Sequence, residues 1–138
     1  MADTFSLEVA TPERLVIREA ATEAQIPAKN GYIGVLPGHA PLLSELGVGY
    51  ASYVSEGRVS YFALHGGFVE VLPDKVRVLA RTVEKAEEID VQRAEAAFRR
   101  AQEELSSPRV GVDPAVALEA MFRAQARIEA AGQNNRKG

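Results

Sequence analysis

The sequence predicts a β + α protein, with an N-terminal antiparallel β-sandwich followed by a C-terminal antiparallel two-helix hairpin. Up to about residue 82, short runs of apolar and β-branched residues alternate with turn residues, which is typical of antiparallel sandwiches and barrels. From about residue 84, apolar residues recur every three to four positions, the period of a helix with one buried face. We therefore expect a β-sandwich domain over residues 1–83 and a helical-hairpin domain over residues 84–138.

The expected strands are short and end at turn residues. In the first, Phe5–Val9, apolar and polar residues alternate with a period of two, as in a strand with one buried face. Ser55–Gly57 predicts a hairpin turn, and Gly66–Gly67 predicts a break before the strand that follows. The other strands are expected at Leu15–Ala20, Tyr32–Leu36, Val48–Val54, Val59–Leu64, Phe68–Leu72 and Val76–Ala80.

The first helix is predicted by strong helix formers (Ala, Glu, Arg and Gln) that follow one another from about Glu84. Pro108 marks its end, because proline cannot continue the helical hydrogen-bond ladder. Five apolar residues share one face of this helix: Val91, Ala94, Phe98, Ala101 and Leu105.

The second helix is predicted to begin at Asp113 as N-cap, with Pro114 in the first helical position. We expect it to run to about Ala131 and to end at Gly132, before a polar tail. Its apolar side consists of Leu118, Met121, Phe122 and Ile128.

The apolar face of this hairpin is mostly alanine, which buries little area at about 25 cal/mol per Å². Two interpretations are open. The hairpin is weakly held and changes position, or it is permanently docked on the β half.

The composition argues against several classes of function. The formal net charge of −3 argues against a nucleic-acid partner. There is no cysteine for a disulfide or thiolate site, and His39 and His65 are too few for a histidine metal cluster. The N-terminal residues have no signal-peptide pattern, and no apolar run reaches membrane-spanning length, so no direct membrane insertion is expected.

Three segments stand in a recognisable order and spacing: Gly31–Leu42, with Gly, Pro, His and Pro at set offsets, then Gly66–Val71, then Ile89–Ala94. Together they resemble the epsilon subunit family of bacterial-type (F-type) ATP synthases. The resemblance covers essentially the whole chain.

This resemblance implies a non-catalytic central-stalk subunit that couples rotation of the c-ring and the gamma subunit to ATP synthesis. It implies a rotor-binding sandwich and a mobile, regulatory hairpin that inhibits ATP hydrolysis, approaching the alpha and beta subunits when extended. It further implies a peripheral location on the cytoplasmic face of the cell inner membrane. No cofactor is required, and ATP is the candidate regulatory ligand.

The resemblance also implies a rotor interface in the first segment. The glycines and prolines there otherwise serve only turns, and the histidine otherwise serves only a hydrogen bond within the loop. Many family members carry an acidic residue at the tyrosine position, so an aromatic anchor replaces an ion pair here. The candidate interface residues are Tyr32, Pro37, His39, Pro41 and Leu42.

A regulatory ATP site is implied by matches to the ATP-binding pattern of some bacterial members. Guanidinium groups suit phosphate oxygens, and the arginines fall at helical spacing. In the alternative interpretation Asp90 only caps a helix and Arg93 is a solvated charge. One expected arginine is replaced by Val116, which is expected to weaken affinity. The matching residues are Glu84, Asp90, Arg93, Arg100, Arg123 and Arg127.

The two alternative classes of function are an enzyme and a free-standing binding module. An enzyme requires convergent titratable groups, and the sequence shows no nucleophile–base pair with recognisable spacing. A free-standing β-sandwich ligand-binding or adaptor module has no evident need for an alanine-rich hairpin that carries paired arginines.

Overall fold

The computed structural model describes residues 3–137, with the backbone alone described at Lys137. Eight strands come first, then a short 3₁₀ turn at Ala86–Glu88, then two helices. The strands are β1 (Phe5–Ala10), β2 (Leu15–Ala21), β3 (Glu23–Ala28), β4 (Gly31–Val35), β5 (Leu42–Glu45), β6 (Val48–Ser55), β7 (Arg58–Val71) and β8 (Lys75–Lys85). The helices are α1 (Val91–Ser106) and α2 (Pro114–Lys137).

The strands pair in the order β2-β1-β8-β7-β6-β3-β4, and β5 joins β7 beside this path. Strand β7 is shared between two neighbours on one side, because β6 pairs with its first part and β5 with its last four residues. The predicted β-sandwich and helical hairpin are confirmed. The sandwich is mixed rather than purely antiparallel, since β1 and β8 run parallel.

The sandwich core is built by alternation along the strands. In β1, Phe5, Leu7 and Val9 point inward and are buried, as period two requires. In β8, Val76 and Val78 repeat this pattern. The large residues of the core all come from residues 5–83, so the sandwich encloses its own hydrophobic centre.

Two strands were not expected from the sequence. Strand β3 contains Pro27, which has no N–H to donate and normally argues against a paired strand, but the ladder with β6 ends at Gln25, so Pro27 pairs only with β4. Strand β5 is only four residues long and depends on its pairing with β7. Strand β5 is therefore stabilised by non-local pairing, whereas β3 combines a local hairpin with β4 and a non-local pairing with β6.

Gly66 and Gly67 do not break the strand as expected; both lie inside β7. Gly67 has φ of 103°, and a Cβ there would lie 1.9 Å from the carbonyl oxygen of Leu79. Glycine is needed because the neighbouring backbone of β8 approaches this closely. The pair therefore shapes a continuous strand rather than ending one.

The helix limits also differ from the expectation. Strand β8 continues to Lys85, so α1 begins at Val91 rather than near Glu84. Gly132 does not end α2, which continues to Lys137. Glycine costs about 1 kcal/mol inside a helix, and packing of the buried Ala130 and Ala131 just before it offsets that cost.

The hairpin is joined to the sandwich mainly through α2. Helix α1 packs on α2, while α2 also packs on β6 and β7. Ala126 and Ala130 of α2 are buried with Ala63 of β7 and Ala86 of the 3₁₀ turn. Within the described residues, neither helix combines the length and the hydropathy that crossing a bilayer demands.

Candidate functional site

A cleft of about 650 Å³ lies between α2 and the strands β7 and β8, with α1 at one side. Its walls are alanine-rich, and its ionisable side chains come from both the sandwich and the hairpin. The ionisable lining residues are Arg14, His65, Glu84, Glu88, Arg123 and Arg127.

Two ion-pair systems join α2 to the sandwich across this cleft. The Arg127 Nε donates to Oε1 of Glu84 on β8 at 2.7 Å. One carboxylate oxygen of Glu119, Oε1, lies 2.7 Å from Nε2 of His65 on β7 and 3.3 Å from Nη1 of Arg123. Side chains of the hairpin therefore hold it to the strands at two points.

The structure brings three of the six predicted ATP-binding residues, Glu84, Arg123 and Arg127, to the cleft. Arg93 and Arg100 are exposed on α1 and do not line it. They flank Ala97, which does line the cleft, at helical spacings of four and three residues.

Asp90 caps α1, because its Oδ1 accepts a hydrogen bond from the Arg93 backbone N–H at 3.1 Å. Helix capping is the alternative to ATP binding that the sequence left open for Asp90. Val116, which stands at the position of the missing arginine, is 62% exposed. Within the described residues, no cluster of three or more His, Cys, Asp or Glu side chains is arranged to hold a metal ion.

The five predicted rotor-interface residues lie at opposite ends of β4. Tyr32 is near the start of β4, where its hydroxyl donates to the Tyr50 carbonyl at 2.7 Å and its ring meets Tyr50 edge-on. Partial burial, then Tyr50 and Glu129, raise the pKa of the Tyr32 hydroxyl, so it remains a neutral donor at neutral pH.

The other four residues of that set follow β4: Pro37, His39 and Pro41 lie in a loop beside the β7–β8 turn, and Leu42 is the first residue of β5. Gly38 donates from its backbone N–H to the Pro73 carbonyl at 2.8 Å and has φ of 86°. His39 Nδ1 lies 2.6 Å from the Ala40 carbonyl oxygen, the contact within the loop that was one of its two interpretations. The loop is thus held rigidly, with Pro41 and Leu42 exposed.

The structure has an exposed apolar surface that the sequence patterns did not predict. The strand register aligns Leu15 with Ala10, Ala10 with Leu79, and Leu79 with Phe68, across β2, β1, β8 and β7. Leu15, Leu79 and Phe68, here called the apolar row, are 45%, 59% and 53% exposed. The sequence contains a signal for this surface in adjacent apolar residues such as Phe68 and Val69. Neighbouring residues of a strand point to opposite faces, so such a pair places an apolar side chain on each face of the sheet.

The fold and its cleft define a class of two-part proteins in which a β-sandwich carries a C-terminal helical hairpin. Residues 4–86 match the family model described as "ATP synthase, Delta/Epsilon chain, beta-sandwich domain". Residues 87–133 match "ATP synthase, Delta/Epsilon chain, long alpha-helix domain". The chain belongs to the ATP synthase delta/epsilon chain family, and the resemblance predicted from the three segments is confirmed.

Individual relatives agree with this assignment. The chain is 58% identical over 131 residues to the ATP synthase epsilon chain of Solibacter usitatus, covering 95% of this chain and 98% of the relative. It is 47% identical over 131 residues to the ATP synthase epsilon chain of Desulfitobacterium hafniense, with 95% and 98% covered. These relatives are thus similar along nearly the whole chain.

Two solved structures share the fold. A chain in the mitochondrial ATP synthase of Euglena gracilis (OSCP/F1/c-ring) superposes with a TM-score of 0.82 at 23% identity, covering 94% of this chain and 81% of that chain. A chain in the central stalk/c-ring structure of the Tetrahymena thermophila mitochondrial ATP synthase gives 0.58 at 12% identity, with 94% and 95% covered. At these identities the likeness concerns the fold alone.

Proposed function

We propose that this chain is the epsilon subunit of the central stalk in an F-type ATP synthase, a non-catalytic part that couples c-ring and gamma rotation to ATP synthesis. The observation that carries the proposal is the family match over both halves, together with 58% identity to an epsilon chain over 95% of this sequence. The subunit works as a peripheral part of the complex on the cytoplasmic face of the membrane.

The sandwich half binds the rotor. The apolar row offers a flat, exposed hydrophobic surface on a rigid sheet, which suits attachment to the gamma subunit. The loop that holds Pro37, His39, Pro41 and Leu42 is fixed by its hydrogen bond to Pro73 and suits contact with the c-ring. A rigid scaffold is an advantage here, because torque passes through the contact.

The hairpin half inhibits ATP hydrolysis by leaving the sandwich and extending toward the alpha and beta subunits. Support comes from the small alanine contact that holds it, Ala126 and Ala130 on Ala63, and from the position of α1, which packs on α2 rather than on the strands. Each alanine buries little apolar area, so these alanines add little to the free energy that keeps the hairpin docked.

ATP acts as a regulatory ligand that favours the docked hairpin. Support comes from Arg123 and Arg127, which reach the cleft from α2, and from Arg93 and Arg100 beside it on α1. A ligand that contacts both the hairpin and the strands binds the docked state better and shifts the population toward it.

The test compares complexes assembled with the full chain and with residues 1–88, which retain the complete sandwich core. Both chains are expected to co-purify with gamma and the c-ring, and the shortened chain is expected to raise ATP hydrolysis. Failure of the full chain to assemble would favour the free-standing module. Assembly without any rise in hydrolysis would remove the inhibitory role.

A further inference from the structure

Glu119 adjoins the cleft through Arg123 and is not part of the ATP-binding pattern. It projects from α2, and its Oε1 atom lies 2.7 Å from His65 Nε2 on β7 and 3.3 Å from Arg123 Nη1 on its own helix. The His65 side chain is only 13% exposed, whereas Glu119 is 46% exposed. The contact therefore joins the helix that detaches in the proposed function to a histidine that is fixed in the sheet.

The Nε2 atom of His65 can donate a proton to this contact whether the imidazole ring is neutral or charged. Nε2 carries the donated proton in one neutral tautomer and in the imidazolium alike. The register places Val48 of β6 and Thr82 of β8 beside His65, so neither strand neighbour adds a charge. The charged groups near it are those of Glu119, Arg123 and the Glu84–Arg127 pair.

The cleft is close to electrical balance without a ligand. Its lining arginines, Arg14, Arg123 and Arg127, face the lining carboxylates Glu84 and Glu88 and the adjoining carboxylate of Glu119. Three positive charges thus meet three negative ones when His65 is neutral. A polyphosphate entering this cleft must displace a carboxylate from an arginine that it would bind, and that displacement opposes its binding.

We propose that Glu119 is a built-in anionic ligand of the cleft, which takes the position of a phosphate between His65 and Arg123 and holds α2 on β7 without nucleotide. This inference rests on the proposed function only in naming ATP as the ligand with which Glu119 competes. Two consequences follow. The docked hairpin persists in the absence of ATP, and removal of Glu119 both loosens the hairpin and strengthens ATP binding.

The experiment uses the isolated full chain, whose lack of cysteine allows labelling at two introduced cysteines. Exposed Glu13 in the β1–β2 turn and Gln102 on α1 are suitable label sites. Single-molecule energy transfer between the labels gives the ratio of docked to undocked hairpin. When docking is nearly complete, hydrogen exchange along α2 measures ratios that are too high for energy transfer. Each variant is measured without nucleotide and during titration with ATP.

Without nucleotide, Glu119→Ala is expected to lower the docked-to-undocked ratio about fivefold, as loss of one partly exposed ion pair does. The matched control is Glu129→Ala, an exposed glutamate on the same helix that forms no ion pair within residues 3–137. His65→Leu is expected to lower the ratio similarly, and the double variant to fall little further, because both changes remove the same contact.

The inference is overturned if the two glutamate variants behave alike, or if the effects of His65→Leu and Glu119→Ala simply multiply. ATP is expected to raise the ratio further in Glu119→Ala than in the unmodified chain; an equal rise in both would refute the competition. If ATP changes the ratio in no variant, ATP sensing fails as part of the proposed function, while the coupling of His65 and Glu119 still decides whether Glu119 holds α2 on β7.

Discussion

The Arg127 guanidinium of helix α2 donates to the Glu84 carboxylate of strand β8 at 2.7 Å, across a sequence separation of 43 residues. Both side chains are partly exposed, at 26% and 35%, so solvent screens the pair. With the Glu119–His65 contact, it forms the polar part of the attachment between hairpin and sandwich. The apolar part is an alanine cluster against which partly buried valine, isoleucine and tyrosine side chains pack.

Glu84→Gln is expected to lower the free energy of unfolding by about 0.5–1 kcal/mol, because a partly exposed ion pair between two elements is lost. Urea unfolding of the isolated chain measures this. Glu95→Gln, an exposed change on α1 outside any ion pair of the described residues, is the control and is expected to change stability by less than about 0.5 kcal/mol. Equal losses in both variants would contradict the structural role of the pair.

Gly67→Ala is expected to destabilise the sandwich by more than about 3 kcal/mol, because the new Cβ overlaps backbone of β8 that cannot move aside. A Cβ at this position lies 1.9 Å from the Leu79 carbonyl oxygen. Gly57→Ala is a matched control, since Gly57 also has positive φ, of 75°, but has open space around it. Its expected cost is about 1 kcal/mol, from backbone strain alone. Thermal unfolding of both variants separates the close approach from the strain.

Phe68→Ser is expected to weaken assembly with the gamma subunit by about tenfold or more while leaving the fold intact. Phe68 is the 53%-exposed member of the apolar row on β7, so its loss costs the free chain little burial. Phe122→Ser, a change at a 45%-exposed aromatic residue of α2, is the control for general loss of exposed apolar surface. Titration of each chain into epsilon-depleted complex gives the affinities, and an equal loss in both variants would argue against the apolar row as the contact.

The stability of the chain is expected to fall above pH 10 through Tyr53. Burial, then the hydrogen bond to Glu19, raises the pKa of Tyr53 to about 12. The hydroxyl donates to Glu19 Oε2 at 2.6 Å. The folded chain therefore holds this proton more tightly than the unfolded chain, whose tyrosine has a pKa of about 10. The stabilisation is complete below pH 10 and is lost as the pH rises through about 12.

Tyr53→Phe tests this alkaline effect. It is expected to reduce stability at neutral pH and to remove on the order of 1–2 kcal/mol of the fall between pH 10 and 12. The free energy of unfolding measured at several pH values gives both quantities. Tyr61→Phe is a comparison at a half-buried tyrosine of β7. An unchanged pH profile in Tyr53→Phe would show that another group governs the alkaline loss.

Much of the fold was predictable because it depends on short-range patterns. The strands that alternate, such as Phe5–Ala10, and the caps at Asp90 and Asp113 act within a few residues of themselves. Strand β5 was not predicted because it depends on β7, far along the chain, and β3 was not predicted because Pro27 interrupts its pattern although it pairs with the adjacent β4. Gly132 was misinterpreted because the packing of Ala130 outweighs its local preference to end a helix.

The candidate site was predictable only in part. The arginine spacing on the helices indicated which charges share a face, but spacing contains no information about their partners in the sandwich. The sequence raised only the question of metal binding for His65 and indicated no role for Glu119. The rotor interface that the resemblance implies includes both Tyr32 and Pro37–Leu42, although β4 separates them in space.

The sequence by itself determined the change from a two-residue to a helical period, the family, and the lack of cysteine and of any recognisable nucleophile–base pair. Only the tertiary structure decided the parallel pairing of β1 with β8, the exposure of Phe68, and the contact of Glu119 with His65. The physical reason is the distance along the chain over which each effect acts. Backbone propensity and amphipathic period act over a few residues, whereas an exposed face or an ion-pair partner is defined by which distant segment packs against it.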